Sequence, residues 1–280
     1  MRLLVTGAAG MLGRDVVAAA GNAGHEAIAL ARADLDITDA AAVRAAVLAA
    51  RPAAVVNCAA WTDVDGAERA DAEATGVNGE GAGNVARVAR EARALMVHVS
   101  SDYVFDGTAT EPYDEYAPTW PQSAYGRSKL AGEHAVHEAG GRSATVRASW
   151  LFGPHGNNFV DTMRRLGAEH EEVTVVDDQV GCPTYTGHLA PALVRIAERG
   201  LTGVMHVAGG GRCSWFELAE ATFAEAGIAC RVKPQRTEDL GRPAQRPAFS
   251  ALRSTRDEVP ALPHWRAGLR DHLTRLEVAA

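Results

Sequence analysis

Arg2-Leu3-Leu4-Val5-Thr6 runs directly into Gly7-Ala8-Ala9-Gly10-Met11-Leu12-Gly13. An apolar run of this length, closed by glycine, reads as a buried strand entering a tight turn. Gly7 permits the turn, Gly10 lets a ligand approach the backbone, and Gly13 lets the next helix pack on the strand. The helix that opens at Met11 and Leu12 then aims unpaired N–H groups at the turn, which suits phosphate. Glycines at this spacing are common by chance, but a strand before and a helix after make the motif specific for a dinucleotide.

Outward from this turn the rhythm repeats. Apolar runs at 27–30, 54–58, 95–100 and 144–148 alternate with helical stretches starting near Met11, Asp39, Val77 and Ser123. The runs are apolar throughout rather than alternating, as in parallel strands covered on both faces. The pattern predicts an α/β fold with a doubly wound parallel sheet. Residues 1–150 form the expected dinucleotide-binding domain. Residues 151–280 form a smaller substrate portion, with some segments returning to the first. In that second part we expect strands at 173–176 and 204–207, helices from His188 and Ser214, and an irregular stretch over 231–263.

The composition excludes several classes. The 280 residues are 47% apolar and 22% charged, with a net charge of -7, so no basic surplus serves nucleic acid or an anionic membrane. No apolar run is long enough to cross a bilayer. No basic start with a longer apolar stretch marks a signal peptide, and a cytoplasmic location is expected. Cys58, Cys182, Cys213 and Cys230 form no C-x-x-C pair and read as reduced thiols.

After the second strand an NAD site usually places an acid for the ribose hydroxyls. Here Ala31-Arg32 follows, and Arg32 suits a 2′-phosphate. Asp34 and Asp36 both lie near; Asp36 with Ile37 is the favoured adenine contact. Cys58, Ala59 and Ala60 are small and leave room at the switch point of the sheet. Asn78, in the next expected helix, is added to the cofactor set. Tyr125 and Lys129 are four apart and share a helix face. A tyrosine of ordinary pKa ~10 is a poor acid at neutral pH, and a neighbouring ammonium favours its phenolate. Ser101, at the carboxyl end of the fourth strand, can hydrogen-bond a substrate carbonyl beside it.

These segments together resemble the extended short-chain dehydrogenase/reductases, and more closely the dTDP-4-dehydrorhamnose reductase family. The resemblance rests on the glycine turn, on Asn57-Cys58-Ala59-Ala60-Trp61-Thr62, on Ser100-Ser101-Asp102-Tyr103-Val104-Phe105-Asp106-Gly107 and on Tyr125-Gly126-Arg127-Ser128-Lys129. Gly156-Asn157-Asn158-Phe159, Asp178-Gln179-Val180-Gly181-Cys182-Pro183-Thr184 and Arg246-Pro247 with Ser250 extend it. It implies Ser101, Tyr125 and Lys129 as catalytic residues, NADPH as cofactor with NADH as the alternative, and reduction of a 4-keto dTDP-sugar. The substrate set it implies is Ser101, Asp102, Tyr103, Trp150, Asn158, Phe159, Gln179, Pro183, Arg246 and Ser250, with Arg246 at the pyrophosphate. Some members bind magnesium between subunits. Asp15 echoes one such position, but the set is not matched, so no metal is expected. The pair His134 and His137 reads as a solvated helix face. A second copy of the chain is the expected macromolecular partner. Related dehydratases carry a carboxylate where Tyr103 stands, which counts against dehydration. An epimerase or a non-catalytic nucleotide-binding subunit stays open.

Overall fold

In the computed structural model, which describes residues 1–279, strands β1 (Arg2–Thr6), β2 (Glu26–Leu30), β3 (Ala54–Asn57), β4 (Leu95–Ser101) and β5 (Ser143–Ala148) lie parallel with a sixth strand, Gly203–His206. The order across the sheet is Gly203–His206, β5, β4, β3, β1, β2. The chain order reverses between β1 and β3, so a crevice opens there at the carboxyl ends of the strands.

The sheet is covered on both faces. Helices α1 (Met11–Asn22) and α8 (Thr186–Arg199) bury Leu3, Val5, Val56 and Val97 on one side. Helices α2 (Ala40–Ala50) and α5 (Ala82–Glu91) bury Leu4, Val55 and Met96 on the other. Each such side chain contributes about 2 kcal/mol by leaving water. Asp39 caps α2 through its carboxylate, which accepts from Ala41 N and Ala42 N. Ser123 does the same for α6 (Ala124–Glu138), accepting from Gly126 N. The helix expected near Val77 begins earlier, at α4 (Asp71–Thr75), and passes through a π-helical turn, Gly76–Gly81, before α5.

The second half divides its loyalties. Thr186–Arg199 packs on α1, and Gly203–His206 joins the main sheet beside β5. The remainder builds a separate layer of α7 (Phe159–Glu169), α9 (Trp215–Glu225) and α10 (Trp265–Ala279) with Glu172–Val176. The stretch read as irregular contains a strand, Arg231–Gln235, parallel to Glu172–Val176. Pro234 hid it, because proline removes a ladder donor and is tolerated only on an edge strand such as this. No helix among the described residues is long and apolar enough to cross a membrane.

Candidate active site

The glycine turn makes contacts that only glycine allows. Gly7 has φ +65°, and a Cβ there would lie 2.6 Å from Ala59 N. A Cβ at Gly13 would lie 2.2 Å from Gly7 O, so the helix sits directly on the turn. Gly10 meets only Gly7 O at 3.2 Å, which leaves its outer side open to a ligand. No side chain caps α1, so its first N–H groups face the crevice.

A cavity of 740 Å³ starts at this turn. Arg32, Asp36 and Ile37 form one end, and Cys58, Ala59 and Ala60 form a wall. Ser101, Tyr125 and Lys129 meet at the other end. The shape fits a dinucleotide: an anion seat at a helix start, an arginine at the ribose end and small residues between. Asp36 accepts from Thr38 N at 2.9 Å and Thr38 Oγ1 at 2.8 Å, which lowers its pKa. Burial pushes the Cys58 thiol up to about 12, so it stays protonated.

Tyr125 sits in the first turn of α6 and Lys129 one turn later. Burial pushes Tyr125 up to about 12, outweighing the Ser101 hydroxyl beside it. Lys129 does not lower the tyrosine as expected; its Nζ donates to Val99 O at 2.7 Å. Lys129 is itself lowered to about 8 by burial, partly offset by Glu133. Tyr125 is therefore a fully protonated acid at neutral pH, next to a cation held by the end of β4. Beneath them Arg147 on β5 donates to Glu133 at 2.7 and 2.9 Å, and Ser100 Oγ donates to the same carboxylate at 2.5 Å.

Ser101 Oγ donates to Asp102 at 3.1 Å and accepts from Tyr103 N at 3.2 Å. Asp102 also accepts from Ser149 at 2.9 Å and Ser250 at 2.6 Å. Burial raises Asp102 to about 6 despite these three hydroxyls. Tyr103 lines the cavity and meets Tyr125 edge to face at 5.5 Å.

Several expected contacts are placed elsewhere. Asn78 is buried and spends its amide on Trp61 N, Trp61 O and Ser128 Oγ, so it ties the β3 loop to α6 from behind the cofactor wall. Asn158 caps α7 by accepting from Asp161 N and donates to Gly153 O and to the Asp161 carboxylate, which commits it to its own loop and helix start. Pro183 packs against Gly209, outside the lining of both large cavities. Ser250 serves Asp102 rather than the cleft. Phe159, Gln179 and Arg246 line a second cavity of 810 Å³. Arg246 is held there by Asp65, at 3.0 and 2.9 Å. Trp150, with φ +48°, lines the first cavity and stacks on Trp215. The sequence reading missed Trp215 and Asp65. Ser214 and Glu217 form a capping box that marks a helix start at Trp215, and only that signal pointed toward it. Among the described residues no group of three or more His, Cys, Asp or Glu side chains is placed to hold a metal.

Comparison with known proteins agrees with this geometry. A family model described as RmlD substrate binding domain matches residues 1–278. The chain is 45% identical, over 98% of its length and 94% of the relative's, to a dTDP-4-dehydrorhamnose reductase of Streptomyces griseus. It is 46% identical, over 90% of its length and 88% of the relative's, to a dTDP-4-keto-6-deoxy-D-glucose reductase of Streptomyces niveus. A crystal structure of dTDP-4-dehydrorhamnose reductase from Bacillus anthracis in complex with NADP superimposes with a TM-score of 0.95 at 38% identity, covering 98% of this chain and 99% of the other.

Proposed function

The chain belongs to the dTDP-4-dehydrorhamnose reductase family, and from this premise we propose that it reduces the 4-keto group of a dTDP-4-dehydro-6-deoxy sugar with NADPH. Conversion of dTDP-4-dehydrorhamnose to dTDP-L-rhamnose is the first reaction to test. The observation that carries the reading is the convergence of Ser101, Tyr125 and Lys129 in the same cavity that the glycine turn lines. Gly7, Gly10, Gly13 and the start of α1 would hold the cofactor's pyrophosphate, and Arg32 its 2′-phosphate. Lys129 would hold the nicotinamide ribose. Bound NADPH supplies the hydride; the residues supply position and a proton.

As negative charge grows on the ketone oxygen, Ser101 turns its hydrogen from Asp102 toward that oxygen. Asp102 keeps Ser149 and Ser250 as donors, so it is not left bare while Ser101 turns away. Tyr125, protonated at neutral pH, gives its proton to the same oxygen.

The test is a fall in nicotinamide absorbance when purified protein meets NADPH and a dTDP-4-keto-6-deoxy sugar. Tyr125→Phe keeps the ring and removes the hydroxyl. It is expected to cut kcat by roughly 10²-fold or more, as loss of a general acid does, with NADPH affinity retained. Near-normal turnover in this variant would overturn the reading. An epimerase would instead interconvert sugars without net loss of NADPH.

A further inference from the structure

Two cavities meet at one side chain. The first contains the glycine turn and Tyr125; the second lies between α7, Glu172–Val176 and the segment 235–246. Trp215 lines both. Its indole lies face to face with that of Trp150, with centroids 3.5 Å apart and planes within 3°. Phe159 also packs on Trp215, with ring centroids 4.6 Å apart, and Trp215 Nε1 donates to Gln179 Oε1 at 3.1 Å.

This contact is poised rather than settled. Aromatic pairs prefer offset or edge-to-face geometry over a full sandwich. Trp150 reaches the stack from a left-handed backbone, φ +48°, that bulky residues seldom adopt. Trp215 is the first residue of α9, and the Ser214–Glu217 capping box holds that helix start without help from the indole. The ring can therefore move without unravelling its helix.

We propose that Trp215 is a substrate-positioning residue: its indole divides the ketone cavity from the nucleotide cavity, parts from Trp150 when a sugar nucleotide binds, and packs on the ligand that joins the two. This rests on the reading of the substrate given above. A ligand with its ketone at Tyr125 and its base in the second cavity has to cross at Trp215. A flat indole freed from Trp150 offers its face to a pyrimidine or to the C–H face of a sugar. Gln179 Oε1, freed of the indole N–H, becomes an acceptor for the same ligand.

The experiment measures dTDP and NADPH affinity for the full chain and for Trp215→Ala and Trp215→Phe, with tryptophan emission followed during the dTDP titration. Loss of a stacking face is expected to weaken dTDP roughly 10-fold in Trp215→Ala, to weaken it less in Trp215→Phe, and to leave NADPH affinity in place. The emission change on adding dTDP should be lost in Trp215→Phe. With a turnover substrate, KM should rise while kcat falls less. Unchanged dTDP affinity in Trp215→Ala overturns the proposal. So does an equal loss of both ligands in Trp215→Phe, which keeps an apolar ring and excludes a collapsed cleft as the explanation for the alanine variant. The two readings fail separately: a parent protein that binds dTDP but reduces no 4-keto sugar loses the activity reading, while the affinity split still decides Trp215.

Discussion

At Asp102 the hydroxyl of the preceding Ser101 and those of the distant Ser149 and Ser250 converge on one buried carboxylate. Its pKa lies near 6 in the fold against 3.8 when free, so the folded state binds more protons between those values. The stability from this group is therefore full below the free pKa and is lost as pH rises through about 6. Asp102→Asn removes the titration. The difference in Tm between parent and variant should fall as pH is raised from 4 toward 7, and a difference that stays flat over that range defeats the assignment. At this scale the shared helix face of Tyr125 and Lys129 was legible from their spacing, while the packing of that helix on β4 brings Ser101 to the same cavity. Ser250 was not. Its hydroxyl has a partner 148 positions away, and nothing local distinguishes a serine that ligates a carboxylate from one that touches substrate.

Helix α6 and strand β5 are joined by Glu133 and Arg147, whose side chains are each 6% exposed. The pair lies below Lys129, and Glu133 opposes the downward shift of that lysine. Removing one partner leaves a buried charge without compensation, which costs about 3–5 kcal/mol. Arg147→Ala should lower the urea midpoint accordingly with an unchanged m-value. The double change Glu133→Leu with Arg147→Leu should recover much of the loss, since two well-packed apolar residues often replace a buried pair at little cost. If the double variant is as unstable as the single, the cost is packing rather than charge. The elements themselves were readable where apolar runs and caps agreed, as at α2 with Asp39 and α6 with Ser123. Helix α7 was missed because Gly156-Asn157-Asn158 reads as a loop, and only the structure shows Asn158 turning that loop into a cap.

Across the whole molecule, the late segment 241–246 is fastened to the first half by Asp65 of α3 (Val64–Ala67). Arg246 and Arg242 both donate to its carboxylate, which these arginines hold down to about 2. The fastening lies at the nucleotide cavity, with Tyr103 beside Arg246. A diphosphate there would take the guanidinium's remaining donors in a charge-assisted contact. Arg246→Ala should weaken dTDP roughly 10-fold, the scale of one hydrogen bond to a charged group, and spare NADPH. Calorimetry that finds dTDP bound as tightly as in the parent removes Arg246 from the substrate set.

The sequence alone determined the doubly wound sheet, the glycine turn and the shared helix face of Tyr125 and Lys129. Each depends on local rules: the apolar runs of covered strands, a glycine that no Cβ can replace, and four-residue spacing on a helix. The tertiary structure alone decided that Asn78 braces α6, that Asp102 gathers three hydroxyls, that Asp65 holds Arg246 and that Trp215 stands between two cavities. Those outcomes depend on which distant side chains fill a shared space, and close packing settles that only when the whole chain is in place.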